Sequence, residues 1–507
     1  MVHILLHAVP SWGHTKPLIS FMILLAESGE DVVVTFFTGL LYTQIMGELE
    51  KIPKERFNKV ESRVNVIDLT GPSNNYFDVP QFAVAFRELH GGSGEVTCAS
   101  SKKVFKNLPR PDLVILDPIA GYAVEAIREL ATPKEIPIWS WMTSSLGFTV
   151  RSWGPKYLDG QGDEWKKLLE VEDTKERTAR AVEIFSKIDD TIVSLPGYPP
   201  MHQYEFFPQE QRAPVELAVP LYLAGYKYLH QTEGYISVTT SVLEDDTTKR
   251  WKEYMEGLGK EFYEIGFIAA TAETPKKDGD SDVTEFLDKV HREHGEKSLI
   301  YISFGSTWWP GNPEKLYVVI DELIKSNTPF LIANPKSFFE FGGLPENVVK
   351  AIEGCGFGLA TKWAPQDAIL QHPATGWFLS HGGWNSLQES LRYRIPMIFW
   401  PVSGDQPLNA ALLSVKFKAA FELISVRGGE GAKTPARLTS GQADPEFTVD
   451  AVREEFRGVL RNMKGKEGEA IREKFGKLGA EIGRLWDEEG QSRKEFELFM
   501  RNHVTRS

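Results

Sequence analysis

The sequence has little cysteine. Cys98 and Cys355 are the two present in 507 residues, too few for a disulfide framework, and no spacing matches a zinc site. Asn-x-Ser/Thr acceptors are absent as well. Both absences point to a reducing, non-secretory compartment, so a cytoplasmic protein is expected. No run reaches the ~18 consecutive apolar residues of a membrane-spanning helix. No positive cluster precedes the apolar start Val2-His3-Ile4-Leu5-Leu6, and Gly13, His14, Lys16 and Pro17 soon interrupt it. Neither a signal peptide nor a membrane span is expected. Positive charge is the minority sign: 57 Lys and Arg stand against 70 Asp and Glu, a net charge of −13. That balance argues against general nucleic-acid binding, whose footprint is basic. The rest is an ordinary globular composition, 42% hydrophobic and 25% charged, with length for two large or three small domains.

The chain opens with alternating strand and helix signals. Residues 2–8 form a mostly apolar run of the kind found in buried parallel strands. Pro10-Ser11-Trp12-Gly13-His14 has turn chemistry, and Pro17 suits a first helical position. Leu18, Phe21, Met22 and Leu25 then recur at helical spacing before Gly29. Residues 32–37 read as the next strand. Further strands are read at 113–116, 136–141, 235–239 and 263–267. Beyond a polar stretch at 271–283 they resume at 299–304, 330–333, 377–380, 397–400 and 420–424. Such alternation implies parallel sheets covered on both faces, an α/β protein of two doubly wound halves. Residues 155–186 read as a charged helical insertion and 427–446 as a long mobile loop. The tail from Val449 reads as amphipathic helices.

In open α/β sheets ligands bind beyond the carboxyl ends of the strands, so residues just after strands matter most. His14 follows the first strand. An imidazole there is placed to take a proton near neutral pH, although a lone histidine, one of eleven, more often has no such role. Asp117 ends the strand at 113–116. A carboxylate reaching a His nitrogen orients the ring and stabilises the imidazolium; the bland alternative is a cap on the next turn. A third segment, Ser380-His381-Gly382-Gly383-Trp384-Asn385-Ser386-Leu387-Gln388-Glu389, runs from strand to helix through two glycines. Glycine admits close backbone approach, and a helix N-terminus favours phosphate. The pattern is neither a P-loop nor the spaced-glycine dinucleotide fingerprint, and alone it is a weak phosphate signal.

Extended on both sides, the third segment becomes specific. Residues 363–406 read WAPQDAILQHPATGWFLSHGGWNSLQESLRYRIPMIFWPVSGDQ. This resembles the 44-residue donor-sugar signature of the family-one, UDP-sugar-dependent glycosyltransferases of the GT-B fold, in the form carried by plant small-molecule glucosyltransferases. Pro10-Ser11-Trp12-Gly13-His14-Thr15-Lys16-Pro17 is similar to the family's first turn. Ser303-Phe304-Gly305-Ser306 resembles the turn that opens its donor domain, and Leu195-Pro196-Gly197-Tyr198-Pro199-Pro200 another of its segments. The resemblance implies two Rossmann-like domains facing across a cleft. An acceptor domain would span 1–268, a linker 269–285 and a donor domain 286–485, with a helix near 486–507 packing back on the first domain. It makes His14 the catalytic base and Asp117 its activator. Trp363 would stack on uracil with Gln366 near the base or ribose, and Glu389 would accept from the ribose hydroxyls. Ser306, His381, Asn385 and Ser386 would hold the diphosphate, aided by the helix dipole. Trp384, Asp405 and Gln406 would bind the transferred sugar. Ala364 and Gly383 complete the implied donor-binding set.

Three departures stand out. Gly382 replaces the usual plant Cys, Arg394 replaces a Gly, and Trp12 stands where Gln is frequent. They point to a non-plant branch, such as a fungal one. The implied reaction is an inverting, metal-free transfer, with UDP-glucose the donor that Asp405-Gln406 fits best. Trp12, Phe86 and Met142 are acceptor-pocket candidates that favour an apolar or phenolic hydroxyl compound, though each could equally be core. The alternatives are a non-catalytic nucleotide-sugar binder, a donor other than UDP-glucose, and a metal-dependent GT-A enzyme using Asp278-Gly279-Asp280 or Asp280-Ser281-Asp282, which read as solvated linker charges. A monomer is the default, with the sugar donor and a small acceptor as partners.

Overall fold

The computed structural model describes residues 1–71, 79–210, 215–268, 281–306, 308–333, 343–362, 364–438 and 444–505. Its organisation follows from where the apolar, β-forming runs lie. β1 (Val2–His7) and β2 (Val32–Thr38) are buried almost throughout, as befits central strands of a parallel sheet covered on both faces. β3 (Val64–Asp68), β4 (Leu113–Leu116), β5 (Ile138–Met142), β6 (Gly234–Ser237) and β7 (Glu261–Glu264) complete the sheet. The order is β7-β6-β5-β4-β1-β2-β3, all parallel. A second sheet contains β8 (Leu299–Ser303), β9 (Phe330–Ala333), β10 (Gly358–Thr361), β11 (Thr375–Ser380), β12 (Met397–Phe399) and β13 (Phe421–Glu422). Its order is β10-β9-β8-β11-β12-β13, again all parallel. Each sheet winds outward from its first strand to one edge, then returns beside that strand and winds to the other. The reversal opens a crevice beyond the carboxyl ends of β1 and β4, and of β8 and β11.

β3 and β10 escape the sequence reading. One is interrupted by Asn65, and the other is Gly358-Leu359-Ala360-Thr361, with little β-branched character at a sheet edge. Residues 281–285, read as linker, belong to the helix Ser281–His294; the rest of that linker lies outside the described residues. The expected mobile loop is not one as far as residue 438. Arg427 and Arg437 are buried there with Glu205 and Glu422, Arg437 Nη1 donating to Glu205 at 2.5 Å. A buried charge must be paired, and this four-way pairing fixes the segment.

The helices that shape the site are α1 (Trp12–Glu27), α2 (Leu146–Trp153), α3 (Ser241–Gly257), α4 (Gln366–Gln371), α5 (Trp384–Tyr393) and α6 (Gln406–Ala411). The last helix, α7 (Gln491–His503), packs on the first sheet. Its Phe496 lies 6.0 Å from Phe21, and its Phe499 5.2 Å from Trp139, between ring centroids. Among the described residues no helix is long and apolar enough to cross a membrane.

Candidate active site

α1 begins at Trp12, five residues before Pro17, so His14 lies in the first helical turn rather than in the turn before it. Asp117 follows β4, and β4 is the neighbour of β1. Adjacent strands therefore deliver the two side chains to the same crevice. His14 Nδ1 hydrogen-bonds to Asp117 Oδ2, while Asp117 Oδ1 accepts the Ile119 N–H at 2.8 Å. One carboxylate thus both orients the ring and caps the next turn. Asp117 is completely buried, whereas the His14 side chain keeps 29% of its surface; the imidazole remains reachable while its orienter stays dry. Burial pushes the His14 pKa down, but the attraction of Asp117, with a smaller one from Asp405, more than offsets it, and the pKa is raised.

Pro17 explains how this turn is tied to the other half. Proline has no N–H to give the carbonyl four residues back, which here is Gly13. Asn385, in the first turn of α5, supplies the missing donor: its Nδ2 reaches Gly13 O at 2.6 Å. A Cβ on Gly13 would lie 3.3 Å from that nitrogen, so glycine keeps the approach open.

The donor-box candidates gather at the ends of β8 and β11. His381 is wedged between Gly305 and Gly383, where added Cβ atoms would sit 2.9 and 2.7 Å from its ring. Burial lowers its pKa to about 4, against a weaker backbone hydrogen bond to Ser303. The ring is therefore neutral at pH 7 and offers phosphate a hydrogen bond, not a charge. Ser386 Oγ lies 3.4 Å from Gln366 Nε2, which donates to Glu389 Oε2 at 2.6 Å. Gln366 Oε1 in turn accepts from Tyr301 at 3.2 Å. Ser306 is exposed in the turn after β8, and Ala364 is half-buried against the core. Trp363 lies outside the described residues.

The implied sugar binders are engaged within the protein. Trp384 is buried, and its indole N–H donates to Val238 O at 2.9 Å, bridging α5 to the end of β6. Gln406 Oε1 accepts the N–H groups of Val402 and Ser403 at 2.8 and 3.0 Å, closing the turn after β12. Asp405 accepts from Asn409 at 3.0 Å and from the Trp384 and Ser145 backbones; burial raises its pKa to about 6. Of the acceptor-pocket candidates, Phe86 is a core residue and not a wall: it is fully buried and stacked on Phe82 at 6.2 Å. Met142 ends β5 with little exposure, and Trp12 is half-buried at the start of α1.

Sequence reasoning missed three participants. Lys16 reaches from α1 to Glu389 Oε1 at 2.6 Å and Asp367 Oδ2 at 2.8 Å. Glu244, fully buried, accepts the Leu146 and Gly147 N–H groups at 3.0 and 2.7 Å and the Tyr198 hydroxyl at 2.6 Å, seating the start of α2. A charged residue two positions after His14 was the available signal for Lys16; nothing local marked Glu244 or Asp367. Among the described residues no group of three or more His, Cys, Asp or Glu side chains is gathered as a metal site.

Residues 260–427 match the family model described as UDP-glucoronosyl and UDP-glucosyl transferase. Along nearly its whole length the chain also aligns with the UDP-glycosyltransferase eriJ of Hericium erinaceus, 27% identical over 96% of each protein. The chain is thus similar to UDP-glycosyltransferases, through a family-model match over residues 260–427 and a fungal relative along nearly its whole length. A zeatin O-xylosyltransferase of Phaseolus vulgaris is 31% identical over 61% of this chain and 65% of that protein. The fold is shared with a transferase from Siraitia grosvenorii in complex with UDP (TM-score 0.69, 20% identity, 99% and 100% of the two chains covered). It is also shared with Medicago truncatula UGT71G1 complexed with UDP-glucose (TM-score 0.66, 20% identity, 99% and 98% covered). The architecture is therefore GT-B, and the activity is glycosyl transfer from a UDP-sugar. The family-model match contains every donor-box candidate of this UDP-glycosyltransferase, but neither His14 nor Asp117.

Proposed function

We propose that this UDP-glycosyltransferase moves glucose from UDP-glucose to a hydroxyl of a small apolar or phenolic acceptor, with inversion and without a metal. The half containing β1–β7 receives the acceptor, and the half containing β8–β13 receives the donor. His14 takes the hydroxyl proton as the oxygen attacks the anomeric carbon from the face opposite UDP, and Asp117 stabilises the imidazolium. The charge developing on the leaving diphosphate falls to Ser386, neutral His381 and the N-terminus of α5. Trp363 and Glu389 hold the uridine, and Asp405 the sugar. The observation that carries this reading is the His14–Asp117 pair, half-exposed over a dry carboxylate in a turn that Asn385 ties to the donor half. A raised pKa suits a base that must accept a proton in full at the transition state.

The test is incubation of the chain with UDP-glucose, EDTA and a panel of phenols, with products resolved by NMR. β-Glucosides formed despite EDTA are expected. α-Glucosides would overturn inversion, and loss of turnover with the chelator would overturn metal independence. UDP binding with neither transfer nor slow hydrolysis would favour a nucleotide-sugar binder. UDP-xylose belongs in the same panel, because one relative is named an O-xylosyltransferase. A monomer is proposed, and light scattering after size exclusion checks it.

A further inference from the structure

Glu389 is the carboxylate assigned above to the ribose, and its two oxygens are already engaged. Oε2 accepts from Gln366, its neighbour in the donor half. Oε1 accepts from Lys16, which belongs to the opposite half and lies two residues from His14. The Lys16 and Asp367 side chains keep 27% and 24% of their surface, and Glu389 only 8%. The carboxylate therefore lies at the bottom of a polar notch whose upper edge is open.

Two carboxylates share one lysine in that notch. Like charges this close push one of the pair toward protonation. Burial raises the Glu389 pKa, Lys16 opposes the rise, and Asp367 adds to it. Asp367 itself is held low by Lys16 despite its burial. Tyr393 meets Asp367 at 3.4 Å, and Tyr301 meets Gln366. Arg392 and Lys51 act on Asp367, and Glu48 acts on Lys16, at longer range. Of these groups, Lys16 is the cation that touches Glu389. A protonated Glu389 would lose acceptor capacity on one oxygen and could not take both hydroxyls of a ribose diol.

Resting on the donor reading above, we propose that Lys16 is a positioning residue for the nucleotide: by holding Glu389 ionised and turned to the notch, the helix turn that carries the base also completes the ribose subsite. The two substrates are thereby coupled through one turn of α1. When the halves move apart, Glu389 loses its cation and the ribose its acceptor; when they close, base and ribose subsite are assembled together.

Calorimetric titration with UDP between pH 5 and 8 tests this, each variant being compared with the wild-type chain so that the nucleotide's own titration cancels. Lys16→Met should weaken UDP about tenfold at pH 7, the scale of one charge-assisted hydrogen bond. It should also move the loss of binding on acidification up by about one pH unit. Lys16→Arg should restore both. Asp367→Asn, which leaves Lys16 to Glu389 alone, should move the limb down and covers the case of a misfolded methionine variant. With 2′,3′-dideoxy-UDP the Lys16→Met effect should vanish. Unchanged affinity and pH limb in Lys16→Met and Asp367→Asn would overturn the inference. Tighter UDP binding by Lys16→Met would overturn it too, by making the lysine a plug. If Glu389→Gln binds UDP as well as wild type, the assignment of the ribose to Glu389 fails instead, whatever Lys16 does.

Discussion

At the residue scale, the proposed reaction divides the work of one proton transfer between His14 and Asp117. His14→Ala should lower kcat by about 10²- to 10⁴-fold, the usual contribution of a general base, with the calorimetric Kd for UDP unchanged. Equal losses in both would remove His14 from the chemistry and make it part of the donor site. A general base works only when neutral, and the His14 pKa is raised above the ordinary histidine value near 6.5. kcat/KM should therefore fall with acid at a pH above that value. In Asp117→Asn, which removes the attraction that offsets burial, the limb should move down while the maximum rate drops. A pH profile that stays in place would show that another group sets it. The position of His14 was legible because it stands in a distinctive turn. Its pairing with Asp117, 103 residues away, was legible only through the family resemblance, since no local pattern reports that two strands are neighbours.

At the element scale, the turns that enter and leave α5 hold two of the departures noted in the donor box. Gly382 has φ +84°, and a Cβ there would lie 2.5 Å from the Phe399 ring. Gly382→Cys, which restores the residue common in the plant form, should cost about 1–3 kcal/mol in urea unfolding. Arg394 is the reverse case: it ends α5 in the left-handed region at φ 57°, where glycine is favoured. Arg394→Gly should stabilise by about 0.5–1 kcal/mol, the left-handed cost less the entropy that glycine returns to the unfolded chain. Either change with the opposite sign would show that neighbouring packing outweighs backbone conformation. The central strands were legible because buried parallel strands are continuous runs of Val, Ile, Leu and Phe. The edge strands β3 and β10 were not, because edges tolerate polar and small residues. The start of α1 was misplaced because proline marks a first turn only by statistics, and here it sits deeper in the helix.

At the scale of the whole molecule, the two halves are joined by polar contacts that no single segment of sequence announces. The cluster of Arg427, Arg437, Glu205 and Glu422 anchors residues 427–438 of the half containing β8–β13 to the short 203–206 turn of the other. Glu205→Gln should destabilise by about 3–5 kcal/mol, because it leaves two buried guanidiniums on one carboxylate. A loss near zero in urea unfolding would mean that water reaches the cluster. Alternating strands and helices made the pair of doubly wound sheets legible, and the glycine-rich box marked the turn between β11 and α5. The interface was illegible because its partners are scattered: Trp384 with Val238, Trp486 with Gly266, and Asn385 with Gly13. The last of these limits how such enzymes can be recombined. A graft of the half containing β8–β13 onto a foreign first half would keep the Asn385 amide. If the recipient's first helix has an N–H where Pro17 stands, that N–H would compete with the amide for the same carbonyl at the seam. Exchanging the two halves as modules therefore works best when the proline travels with the asparagine, although they are 368 positions apart in the chain.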